Sequence, residues 1–272
     1  MLDVLVKKVM EYQDLYNEAW KYRDQRVDGW PLMSSPYPTI FICALYVYIV
    51  KVAGPNYMKD KEPMNLKYFL MVYNVFQVVL SAYIFVELLK NGWGGDYSFR
   101  CQPVDFSNNP KALKMVFLSW LYFASKFVEF IDTFCFVLRK KFSQVSLLHV
   151  IHHGIMPLAV WPGLRFVPGG HASFFGLLNT FVHILMYTYY FVAALGPRYQ
   201  RFIWWKRYLT NLQMIQFVFV FFHSFQLIFY EDCDFPVLFA YWIAGISVMF
   251  FVLFSQFYIQ TYLTKYSKKK VT

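Results

Sequence analysis

Residues 172–194 read ASFFGLLNTFVHILMYTYYFVAA, twenty-three positions without a Lys, Arg, Asp or Glu. As a helix rising ~1.5 Å per residue this stretch covers about 35 Å, more than the ~30 Å of a bilayer's hydrocarbon. It is therefore predicted to span a membrane. Asn179 and His183 lie four residues apart inside it and so share one helix face. Lipid cannot satisfy such groups, so that face must meet other helices. One segment thus predicts an all-α, multi-pass membrane protein with a polar interior.

The rest of the chain agrees. Of 272 residues 58% are hydrophobic, 22% aromatic and only 15% charged, too few charges to cover a water-soluble surface of this size. Apolar runs predict seven transmembrane helices, at 36–53, 66–89, 113–138, 147–163, 172–194, 209–230 and 236–263. Residues 1–35 are charged and read as a lumenal N-terminal segment without a cleavable apolar core. The transmembrane domain is expected over 36–263, followed by a basic cytosolic tail at 264–272.

With the C-terminus cytosolic, the cytosolic connections hold fourteen Lys and Arg against five on the other side, the bias that orients membrane proteins. The same bias accounts for the net charge of +10 without nucleic acid as a partner. Of four cysteines, Cys43 and Cys135 fall within spans, while Cys101 and Cys233 fall in two lumenal loops. There they either form a disulfide or remain free thiols, and an oxidising compartment favours the bond. Lys269 and Lys270 near the end resemble the dilysine address that returns membrane proteins to the endoplasmic reticulum.

Ionisable groups within spans are costly, which makes each a candidate site residue. Span three carries Lys126, Glu129 and Asp132; span four carries His149, His152 and His153 on one face, at i, i+3 and i+4. Span six carries Gln213 and Gln216. Counted from the cytosolic end at ~1.5 Å per residue, Asp132 and Glu129 lie roughly 9 and 13 Å deep, His152 and His153 roughly 8–9 Å, and His183 roughly 16 Å. The layer reads as one enclosed site open toward the cytosol, with Tyr187 beside it. The bland alternative, hydrogen-bonded glue between helices, suits Gln213 and Gln216 best. A di-iron centre like that of membrane desaturases and hydroxylases needs more imidazoles than six histidines supply, since His171 falls in a loop and His223 stands alone in an aromatic run. A single metal on these histidines stays open as an alternative; none is expected.

These motifs resemble the ELOVL family, the elongases of very long chain fatty acids. KxxExxDT appears as Lys126–Thr133, HxxHH as His149–His153, HxxMYxYY as His183–Tyr190 and TxxQxxQ as Thr210–Gln216. MSSPYP and GWGGDYSFRC also resemble the subgroup acting on saturated and monounsaturated chains. The resemblance implies seven helices, six of them enclosing an acyl tunnel. It also implies condensation of acyl-CoA with malonyl-CoA to 3-oxoacyl-CoA, carbon dioxide and CoA, with no cofactor. The product would pass to separate reductases and a dehydratase, and a homo-oligomer is among the expected assemblies.

The residues fit that chemistry. Cys135 sits one turn from Asp132, a setting hostile to a thiolate. A neutral imidazole can attack a thioester instead, and His152 is the expected nucleophile, oriented by His149 and His153. Direct transfer with the histidines acting as bases is the competing route. His183 and Asn179 are expected to stabilise the developing oxyanion. Arg139, Lys140, Lys141, Lys206 and Arg207 flank the cytosolic mouth, where they could pair with CoA phosphates. A metal-dependent hydroxylase or desaturase and a seven-span transporter or receptor are the other readings.

Overall fold

The computed structural model describes residues 2–230 and 232–264. The dilysine at Lys269 and Lys270 lies outside them. Every regular element among the described residues is helical: α1 (Leu2–Trp20), α2 (Tyr37–Tyr48), α3 (Gly54–Met58), α4 (Lys67–Leu88), α5 (Pro110–Val128), α6 (Phe130–Leu138), α7 (Leu147–Phe166), α8 (Ser173–Leu195), α9 (Lys206–Phe225) and α10 (Val237–Tyr258). Wide π turns prolong α2 into α3 and extend α4 and α10, giving long continuous rods. Six rods are long and apolar enough to cross a membrane: Tyr37–Met58, Lys67–Trp93, Leu147–Phe166, Gly170–Leu195, Lys206–Phe229 and Val237–Thr264.

The predicted span at 113–138 takes another form. It consists of α5 and α6, joined end to end at Glu129, and carries Lys114, Lys126, Glu129 and Asp132 along one path. Those charges keep it from qualifying on apolarity. The junction has a local cause: the Asp132 N–H turns back to the Glu129 carbonyl at 3.2 Å, three residues away instead of four. One carbonyl is thereby released from the helical ladder.

Helix starts follow capping chemistry. Asn109 Oδ1 accepts the Ala112 N–H at 2.8 Å ahead of Pro110, opening α5. Ser146 Oγ accepts the His149 N–H at 3.2 Å, so the cap of α7 also fixes the first turn of HVIHH. Within α7, Pro157 and Pro162 have no N–H, which leaves the carbonyls of His153 and Leu158 without their ladder partners.

Helix α4 lies along α8 and α10 along α9, while α7 sits against both α2 and α5. Outward faces are apolar and exposed, as in Phe69, Val72, Phe76 and Val79 of α4, whereas Asn74, Gln77 and Ser81 of the same helix are buried. Polar-in and apolar-out is the pattern lipid imposes.

At the opposite end from the histidines the bundle is capped by covalent and ionic ties. Cys101 and Cys233 form a disulfide that joins two loops 132 residues apart. The N-terminal segment docks there as well: Val27 and Met33 are buried against Val116, Phe123, Trp161 and Leu164. Fully buried Arg165 pairs with Asp28 while its guanidinium lies 4.6 Å from the Trp20 ring centre.

Candidate active site

The site is built outward from the α5–α6 junction. Lys126 and Glu129 are three residues apart, and the Lys126 Nζ donates to Glu129 Oε1 at 2.6 Å; the side chains are only 2% and 4% exposed. A cation and an anion this deep are tolerable only as a pair with further hydrogen bonds. Helix α8 supplies them. Asn179 Oδ1 accepts from Lys126 Nζ at 3.0 Å and from the Tyr122 hydroxyl at 2.8 Å.

The Asn179 backbone carbonyl then accepts from His183 Nδ1 at 2.8 Å. A carbonyl cannot donate, so the His183 Nδ1 carries a proton. Its Nε2 faces Glu129 Oε1 at 3.5 Å. Lys126, Glu129, His183 and Asn179 thus form one closed circuit across two helices.

A second branch runs from Asp132. Its Oδ2 accepts the Tyr187 hydroxyl at 2.7 Å, and that hydroxyl accepts Gln77 Nε2 at 3.2 Å. Gln77 also donates to the Tyr73 hydroxyl at 3.0 Å. Tyr73 in turn donates to the Val128 carbonyl at 3.3 Å, the one released by the helix break.

The three histidines of α7 form a contiguous imidazole row, with ring centres 4.4 Å apart for His149–His153 and 5.4 Å for His152–His153. They point into the bundle. His153 is buried, and both His152 and His153 lie in the electrostatic field of Glu129 and Lys126. His149 Nε2 hydrogen-bonds Thr133 Oγ1 at 2.9 Å, and Thr133 reaches the Tyr46 hydroxyl at 2.8 Å. His152 is held differently, by ring contacts to Phe250 and Phe254 of α10 at 4.7 and 5.9 Å. Its buried Nδ1 has no hydrogen-bond partner among the described residues.

Other expected members stand apart. His149 bonds Thr133 and makes no hydrogen bond to His152, so the orienting contacts on His152 are aromatic. Gln213 Nε2 meets only Met186 Sδ at 3.6 Å, and the Gln216 Oε1 is buried without a partner among the described residues. Neither glutamine joins the circuit. His223 is not alone: its ring stacks on that of His171 at 3.8 Å, and His171 Nε2 donates to the His223 carbonyl at 2.7 Å, toward the disulfide end. Among the basic residues, Lys140 Nζ donates to the Lys59 carbonyl at 3.0 Å and Arg207 Nε to the Tyr258 hydroxyl at 2.6 Å. Arg139 and Lys141 follow α6, and Lys206 opens α9.

Tyr46, Tyr73, Gln77, Tyr122 and Phe250 escaped the sequence reading. Gln77 was findable by the criterion that found Lys126, as a polar residue in an apolar span. Tyr122 lies four residues before Lys126, hence on its face. Phe250 carries no such mark.

Below Tyr122 the polar layer gives way to an apolar cavity of about 80 Å³ between α5, α7, α8 and α10. The tyrosine belongs to both, its ring lining the cavity and its hydroxyl on Asn179.

A helical membrane bundle with inward-turned imidazoles, a buried ion pair and an apolar cavity joined to that pair through Tyr122 is the framework of a membrane-embedded enzyme acting on an amphiphile. Residues 31–270 match the ELO family, described as the GNS1/SUR4 family, and the chain belongs to it. It is 56% identical over 256 residues to a very long chain fatty acid elongase of Aedes aegypti, covering 93% of this chain and 71% of that protein. It is 52% identical over 268 residues to very long chain fatty acid elongase 7 of Drosophila melanogaster, covering 97% and 82%. With human very long chain fatty acid elongase 1 the identity is 44% over 252 residues, covering 92% and 90%.

Proposed function

We propose that this chain is a fatty acid elongase, the 3-oxoacyl-CoA synthase that condenses a long-chain acyl-CoA with malonyl-CoA. Family membership and the names of its relatives support elongation. The observation that carries the chemistry is an inward-turned imidazole row close enough to feel the charges of the Lys126–Glu129 pair, whose circuit with His183 and Asn179 reaches the apolar cavity through Tyr122.

In this reading seven spans cross the membrane, α5 with α6 making the third, and six of them enclose the acyl chain. The domain is 36–263, with residues 1–35 lumenal and the tail at 264–272 cytosolic. The address at Lys269 and Lys270 keeps it in the endoplasmic reticulum. Cys101 and Cys233 belong to the lumenal side, where oxidation is permitted. Arg139, Lys140, Lys141, Lys206 and Arg207 receive CoA phosphates at the cytosolic mouth. The reaction uses no cofactor, and the 3-oxo product leaves for reductases and a dehydratase.

The nitrogen lone pair of His152 attacks the thioester carbonyl, giving an acyl-imidazole and releasing CoA, whose sulfur takes a proton. Malonyl-CoA then loses carbon dioxide, and the electron pair of the broken carbon–carbon bond becomes an enolate. The enolate attacks the acyl-imidazole carbonyl, the carbon–nitrogen bond breaks, the departing imidazole nitrogen takes a proton from solvent, and 3-oxoacyl-CoA is formed. The Asn179 Nδ2, which donates to no other group among the described residues, stabilises the enolate oxygen, and His183 joins it through Nε2 once that nitrogen also carries a proton. Aromatic packing by Phe250 and Phe254 orients the His152 ring.

The purified protein should release carbon dioxide from malonyl-CoA only when acyl-CoA is present; release without acyl-CoA, or none, refutes the function. Incubation with acyl-CoA alone should add one acyl mass to the peptide bearing His152, and His152→Ala should abolish it. A fully active enzyme without such an adduct sinks the covalent route and leaves direct transfer.

A further inference from the structure

The cavity below Tyr122 has one bare wall. Ala159 and Gly163 of α7 both line it, one helical turn apart on the same face. A Cβ placed on Gly163 would meet no atom within 4 Å. The other cavity glycines differ. A Cβ on Gly176 would rest at 3.9 Å against Leu88 and Tyr122, and Gly169 has the left-handed φ of 95° that favours glycine for backbone reasons.

Gly163 serves no such need. It lies within the helix, its φ is not left-handed, and glycine in a helix interior is roughly 0.5–1 kcal/mol worse than alanine. What its missing side chain leaves is space inside the cavity. Facing it, the Trp242 Nε1 of α10 donates to the Ala159 carbonyl at 2.9 Å, pinning the two helices together beside the bare stretch. The gap is therefore built into the wall and is not closed by helix movement. Gly163 stands ten residues beyond His153, roughly 15 Å along the helix axis.

We infer that Gly163 is a specificity-determining residue: its missing side chain leaves the space taken by the distal carbons of a long acyl chain. The assignment rests on the elongase reading. An acyl chain held by its thioester at the imidazole row passes Tyr122 and lies against the bare backbone. A side chain at position 163 would occupy the path of the tail without touching the reacting atoms.

The test compares purified full-length wild type, Gly163→Ala, Gly163→Leu and Gly245→Leu. Each is assayed with labelled malonyl-CoA and saturated acyl-CoAs from dodecanoyl to tetracosanoyl. Gly245 is the control: a Cβ there also meets nothing within 4 Å, but the residue is exposed on α10 outside the cavity lining. Discrimination by an apolar pocket runs roughly 10–200-fold per methylene that does not fit. Gly163→Leu should therefore lower kcat/KM for the longest accepted chains by about tenfold or more relative to the shortest. Gly163→Ala should shift the profile in the same direction by less, and Gly245→Leu should follow wild type. Should Gly163→Leu fail to fold, Gly163→Ala carries the comparison. A profile unchanged in shape, or lowered equally for every chain length, overturns the assignment while leaving elongation intact. A wild type that incorporates no malonyl carbon into any acyl-CoA overturns the elongase reading itself.

Discussion

The bundle buries a cation at each end, and the two are used differently. Lys126, at the histidine end, has its counter-ion three residues away on the same path, with both side chains nearly sealed. Arg165, at the disulfide end, is only 1% exposed but pairs with an Asp28 that is 42% exposed and 137 positions away in sequence. The anions differ further in what else they touch. Glu129 also faces the His183 imidazole, a group able to exchange a proton, whereas Asp28 otherwise meets Arg23 and solvent. The first pair lies in the candidate site. The second fastens an outlying segment to the bundle. A buried charge thus announces a function only through the second neighbour of its partner.

Substitutions at three places probe that contrast, the largest effect first. Glu129→Gln strands the Lys126 ammonium in an apolar interior and should cost about 3–5 kcal/mol in thermal unfolding, together with the activity. Replacing both Lys126 and Glu129 by Met should recover much of the stability and none of the activity. If Glu129→Gln melts like wild type, the pair is not holding the centre together.

Cys101→Ser with Cys233→Ser comes next. Removing a native disulfide typically costs about 2–5 kcal/mol. Protein still folded without it should retain its specific activity, because the loops it joins lie away from the imidazoles. Loss of activity in folded protein would erase the distinction between the two ends.

The smallest effect is expected at Asp28. Burial raises its carboxyl, but the Arg165 and Arg23 guanidiniums outweigh this and hold it below the ordinary 3.8. A depressed carboxyl adds stability that is complete above the unfolded value and is lost as pH falls through the folded one. Asp28→Asn should therefore lower stability by about 1 kcal/mol near neutrality and flatten the acid limb of the melting profile, since the pair is half open to solvent. An acid limb unchanged by Asp28→Asn would mean that the N-terminal segment is held by its apolar contacts and its other hydrogen bonds, such as the Asp24 N–H on the Arg165 carbonyl.

Much of the centre was legible because helical spacing is local. Lys126 and Glu129 share a face by counting, as do Asn179 and His183, and all four meet in the structure. Counting could not give azimuth, so Gln213 meets Met186 and the Gln216 Oε1 is left without a partner among the described residues, neither bonded to the ion pair. It could not foresee that Thr133 would take His149 while α10 supplied Phe250 to His152. Those contacts depend on how each helix is turned toward its neighbours. The junction at Glu129 escaped too: no Pro or Gly marks it, and the released Val128 carbonyl is satisfied only by Tyr73 from another helix.

The sequence by itself determined that the solvent is lipid, that the chain is helical and that its polar groups gather in one layer. Each follows from local transfer energies and from a period of 3.6 residues. Only the tertiary structure decided which imidazole meets which partner, that Asp28 reaches Arg165, and that the space beneath Tyr122 opens against Gly163. These depend on helix rotation and neighbour order, which arise from packing between residues far apart in the chain.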